Sequence, residues 1–106
     1  MPIKSEPARR ASRSPRPPYR GWAGVDPAEL RREVEDVVGP VFGASSRTMA
    51  AGVALEALIL ADHLGWAGWM IGQRLHVSPS EANHLVRTYR DHWASTAARI
   101  AERLIV

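Results

Sequence analysis

The side chains in this sequence that could do chemistry are four histidines and eleven carboxylates, with no cysteine. The missing thiols remove disulfides, Cys-based zinc sites and thiol nucleophiles together. His63, His76, His84 and His92 include no pair four residues apart, the spacing that puts two ligands on one helix face. Glu81 and His84 stand in the Glu-x-x-His spacing of di-iron helical bundles, but such a site needs a second copy and two further inward glutamates. The sequence holds a single copy, and Glu81 is better explained as a helix-capping residue. No glycine-rich phosphate loop is present, and no Ser-His-Asp arrangement suggests itself. No metal, no cofactor and no catalysis are expected. The polar side chains are left to bind rather than react.

The best placed of them lie between Gly68 and Arg87, GWMIGQRLHVSPSEANHLVR. Ile71 and Leu75 are one turn apart and share a helix face. Gly72 beside them lets a second backbone approach closely. Val77 closes a turn, and Ala82 and Leu85 form the inward face of a following helix. Ser78-Pro79-Ser80-Glu81 is a strong helix start, with Ser78 as N-cap, Pro79 in the first position and Glu81 reaching back.

On these residues the segment resembles the helix-turn-helix family of DNA-binding proteins, whose second helix enters the major groove. The likeness covers 20 of 106 residues. It departs from the family at His76, where a glycine usually supplies a left-handed backbone; histidine tolerates that conformation better than most side chains. The resemblance implies that Ser80, Asn83, His84 and Arg87 face the base edges. Asn83 suits adenine and Arg87 suits guanine, because each can make paired hydrogen bonds there. It also implies that Arg74 and Arg90 hold phosphates, helped by the helix start near Pro79.

Charge is unevenly spread along the chain. Residues 1–20 carry six basic side chains against Glu6, a balance of +5, whereas residues 21–106 carry eight basic and ten acidic groups, a balance of −2. Thirteen of the fourteen basic residues are arginine, which with abundant alanine suits a GC-rich coding sequence. Residues 1–20, rich in Pro, Ser and Arg, cannot bury enough surface to offset their ordering entropy and read as a disordered basic arm. Arg9, Arg10, Arg13 and Arg16 in that arm are candidate phosphate contacts. No signal, transit or membrane-spanning segment is expected, so the protein reads as cytoplasmic and nucleoid-associated.

Residues 21–106 are long enough for one all-α domain of four helices. The first helix should begin at the Asp26-Pro27-Ala28-Glu29 cap, bury Leu30, Val34, Val37, Val38 and Val41, and end or kink at Gly39-Pro40. The second, from about Ser46 to Leu64, has almost no polar face and should be central. Gly65 stops it. The third runs from Trp66 to Leu75, with Trp66, Trp69 and Gln73 on one side. The fourth begins at Pro79 and continues unbroken for about 26 residues, ~39 Å.

The stripe of the fourth helix, Tyr89, Trp93, Ile100 and Leu104, continues past the turns that would read bases. It either folds back on the first two helices or meets a second subunit. A homodimer is the expectation, because it would set two reading helices on half-sites ~34 Å apart. The combined expectation is a sequence-specific binder of double-stranded DNA, such as a small transcriptional regulator of a phage, mobile element or GC-rich bacterium. The alternatives are a protein-binding helical module, for example a phage-encoded inhibitor of a host protein, and a DNA-recognition subunit of a packaging or recombination machine.

Overall fold

The computed structural model describes residues 18–39 and 46–105. Four helices occupy them: α1 (Pro27–Val38), α2 (Ser46–His63), α3 (Gly68–Leu75) and α4 (Pro79–Leu104), with no strand among the described residues. The fold is all-α.

Local signals explain where the helices start and stop. The Asp26 carboxylate accepts from the Ala28 N–H at 3.0 Å, and the Ser78 hydroxyl accepts from the Glu81 N–H at 3.0 Å, each followed by proline at the first helical position. Each satisfies one of the orphan donors of a helix N-terminus. The return bonds expected from the Glu29 and Glu81 carboxylates are absent among the described residues; both side chains are exposed. Gly39 ends α1 at φ 89° and Gly65 follows α2 at φ 73°, backbone that glycine adopts at little cost.

α2 is the centre of the core. Its nine consecutive residues Val53 to Ala61 are all buried, which a helix achieves only when enclosed on every side. Leu30 and Val34 of α1 pack into the same core. Val37 does not: it is 45% exposed, because the last turn of α1 stands off α4 across a groove of about 380 Å³ bordered by Glu33, Val37, Thr96 and Arg103. Val41 lies outside the described residues.

α3 starts at Gly68, two residues later than expected. Trp66 sits before the helix, buried, with its indole N–H donating to the Gly21 carbonyl at 2.8 Å. It therefore parts company with Trp69, which is on the surface. Packing begins at the edge of the expected arm, where the Arg20 N–H donates to the Leu64 carbonyl at 3.0 Å and the Tyr19 ring stands 6.3 Å from Trp66.

The apolar stripe of α4 folds back on its own chain. Ile100 is 4% exposed, and Tyr89, Trp93 and Leu104 pack half-buried against the same core. Part of the cover that the stripe needs therefore comes from the chain itself, with Ile100 enclosed and Tyr89, Trp93 and Leu104 left half-buried. The groove linings give the directions: Met49 and Val53 lie by Glu81 and Leu85, and His63 lies by Ala98 and Ala101, so α2 and α4 run the same way. Among the described residues, no helix is long and apolar enough to cross a membrane.

Candidate nucleic-acid interface

The turn between α3 and α4 is closed by three backbone features. His76 takes the left-handed conformation, φ 61° and ψ 41°. The Val77 N–H returns to the Gly72 carbonyl at 3.0 Å, the six-to-one bond of a Schellman ending. Gly72 lies directly under that turn: a Cβ there would stand 2.5 Å from the Val77 carbonyl oxygen and 3.4 Å from the Pro79 nitrogen. The close approach expected at Gly72 is therefore to the turn itself rather than to the side of α4. Ile71, Leu75, Ala82 and Leu85 are all buried and fix the two helices on the core.

With those residues turned inward, the opposite side of α4 is set. Ser80, Asn83, His84 and Arg87 are all exposed, within the first three turns of the helix. Asn83 leans towards α3, so that a Cβ on Gly68 would meet its amide oxygen at 2.8 Å. The His84 ring nitrogen stands 3.5 Å from the Thr88 hydroxyl, one turn along the helix. Arg87 makes no ion pair among the described residues. Gly68 and Gly72 form the ridge of α3 against α4 and its turn, and at 100° per residue Trp69 and Gln73 form the next stripe round, open to solvent. Trp69 is 58% exposed.

The two arginines expected on phosphates are placed otherwise. Arg74 points into the body. Its Nε donates to a Glu56 carboxylate oxygen, its Nη2 donates to the Pro27 carbonyl at 3.0 Å, and its guanidinium lies 4.7 Å over the Trp22 ring. Glu56, 1% exposed, also receives Arg31 through Nε at 2.7 Å and Nη2 at 3.3 Å. A carboxylate enclosed in α2 cannot remain without partners, because burying an isolated charge is very costly. That demand corrects the phosphate role for Arg74. Arg90 is nearer the surface but makes a two-pronged bridge to Asp62, at 2.8 and 3.0 Å. In this arrangement its charge is shared with Asp62. Arg9, Arg10, Arg13 and Arg16 lie outside the described residues.

The sequence contained one signal for the Glu56 cluster: a lone acid in an apolar helix must be paired. It contained none for the partners, which stand 25 and 18 residues away. Among the described residues no group of three His, Asp or Glu side chains could hold a metal ion. No family model matches the chain, and no curated protein or solved structure is significantly similar to it.

Proposed function

We propose that this protein binds double-stranded DNA, reading it with the outward face of α4 and drawing most of its phosphate contacts from the basic N-terminal residues. The observation that carries this reading is the division of α3–α4 into two sides. Ile71, Gly72, Leu75, Ala82 and Leu85 are consumed by packing, while Ser80, Asn83, His84 and Arg87 stand together in solvent. Asn and Arg are the side chains that pair with adenine and guanine edges through two hydrogen bonds. The turn geometry, a left-handed residue over a glycine, holds α3 close against the start of α4 and leaves the outward face of α4 open to a groove. A role as a small transcriptional regulator, in the cytoplasm and on the nucleoid, goes with this reading.

The charge distribution sharpens the proposal. With Arg74 and Arg90 engaged by Glu56 and Asp62, Arg87 is, among the described residues, the arginine left without an ion pair on the reading face. Phosphate neutralisation dominates nucleic-acid affinity, so the +5 of residues 1–20 must supply it. A second reading has its own observation in Trp69, a large aromatic that is 58% exposed, and tryptophan is enriched in protein hot spots. That reading makes the protein a helical module that occupies another protein.

Fluorescence anisotropy against a labelled 24-bp duplex, titrated with salt, separates the two. DNA binding should weaken steeply with salt, with log K falling by about 0.9 per phosphate contact. Absence of duplex affinity at low salt would rule out the first reading and leave the second.

A further inference from the structure

We infer that His84 carries a proton when the protein holds a duplex, so that the affinity of the α4 face rises as pH falls through the histidine range. The inference rests on the DNA reading and adds the charge state in which that face binds. His84 is exposed between Ser80 and Arg87, in the middle of the outward set. One ring nitrogen, Nε2, stands 3.5 Å from the Thr88 hydroxyl, which leaves Nδ1 for a ligand. A neutral imidazole has one donor and one acceptor, and which nitrogen donates depends on how the Thr88 hydroxyl is turned. The imidazolium donates from both nitrogens whichever way that hydroxyl points. A duplex offers such a face mainly acceptors, the phosphate oxygens and the O6 and N7 of guanine. A second donor and a positive charge are what those acceptors select.

The charges around His84 give the proton its leverage. From Pro79 to Asp91 the charged side chains of α4 are Glu81, Arg87, Arg90 and Asp91, all exposed, and Arg90 is paired with Asp62. That leaves Arg87 against two carboxylates on the face that would meet phosphate. The helices packed on α4 make no contact with His84 through a charged group among the described residues. α3 carries Arg74, turned onto Glu56, and α2 carries Glu56, Asp62 and His63, the last beside Ala98 and Ala101. α1 meets α4 through Glu33 and Asp36 at the other end, near Thr96 and Arg103. His76 in the preceding turn and His92, whose ring lies against Trp93, are exposed as well. A proton on His84 moves the local balance from −1 to zero where a polyanion would lie. Since the polyanion holds the cationic form more tightly, binding takes up a proton. The added affinity is complete where the imidazole is already charged and is lost as pH rises.

The test measures anisotropy on a labelled 24-bp duplex at about pH 5.5 and about pH 8, with the full-length parent, His84→Gln, His84→Lys and His92→Gln. At low salt the parent should bind about tenfold more tightly at the lower pH. His84→Gln should keep the parent's melting curve and reduce that gain to about twofold or less. His92→Gln removes a titrating charge from another part of α4 and should keep the gain. His84→Lys should bind at both pH values about as tightly as the parent does at the lower one. Calorimetry in buffers of different ionisation enthalpy should show the parent taking up about one proton more per chain on binding than His84→Gln does. Site selection at each pH separates the two kinds of acceptor. A guanine preference that appears at one base pair only at the lower pH puts His84 on a base, and an even gain over all sequences puts it on phosphate. A pH gain that survives His84→Gln undiminished, or a parent with equal affinity at both pH values, overturns the inference and leaves the DNA reading standing. If His84→Gln unfolds, His84→Lys decides, and a pH dependence equal to the parent's overturns the inference. No duplex affinity at either pH overturns both.

Discussion

Arginine plays two opposite parts in this chain. Beneath the α3–α4 hairpin, Arg31 and Arg74 are turned inward onto Glu56, with small exposed fractions and their Nε and Nη2 donors directed at named acceptors. On top of it, Arg87 projects from α4 beside Asn83 and His84, with no acid answering it among the described residues. The chemistry of the side chain is identical; what differs is whether a carboxylate is enclosed within its reach. Net charge therefore says little about where a cation is free to act. Among the described residues Arg31, Arg74, Arg90 and Arg103 are paired with the chain's own acids, and the outward face of α4 is polar rather than strongly basic.

Breaking the buried side should produce the largest effect. Glu56→Ala leaves two guanidinia partly buried without their shared partner, and should cost about 3–5 kcal/mol of stability in urea unfolding. A loss under about 1 kcal/mol would mean that water already answers those arginines. Ile100→Ala follows, at about 2–5 kcal/mol for a truncated core residue. It should lower the melting temperature without changing the mass measured by light scattering. Conversion of a dimer to a folded monomer would instead mark the α4 stripe as an interface.

Gly72→Ala probes the seam between the two sides. The added carbon meets a backbone carbonyl that cannot move away easily, so about 1–3 kcal/mol should be lost by thermal melting. An unchanged melting curve would show that the turn has slack. The exposed side should give the smallest changes in stability. Arg87→Ala and Asn83→Ala should each shift unfolding by no more than about 0.5 kcal/mol, yet weaken duplex binding by about 1–3 kcal/mol at a preferred site. A selection of duplex sequences with each variant would show a relaxed preference at one base pair. Equal preference in parent and variants would remove these residues from the reading face.

Much of this architecture was legible in the residues taken alone. Asp26-Pro27 and Ser78-Pro79 announced two helix starts, Gly39 and Gly65 two stops, and the apolar run of α2 its central place, because caps, glycine backbones and helical periodicity are local properties. The inward set Ile71, Leu75, Ala82 and Leu85 followed from the same periodicity, whereas the outward set Ser80, Asn83, His84 and Arg87 was what the helix-turn-helix resemblance implied. What only the tertiary structure decided was partnership. Arg74 and Arg90 sit on helices where either side of the chain could have claimed them, and the choice was made by Glu56 and Asp62, brought near by the crossing of α2 with α3 and α4. The stripe of Tyr89, Trp93, Ile100 and Leu104 demanded cover, but periodicity states the demand without naming what meets it. Trp66 and Trp69, three residues apart, were separated into core and surface by where the segment 20–25 folds back. Local sequence sets the direction in which a side chain points along its own helix; the packing of distant segments sets what it finds there.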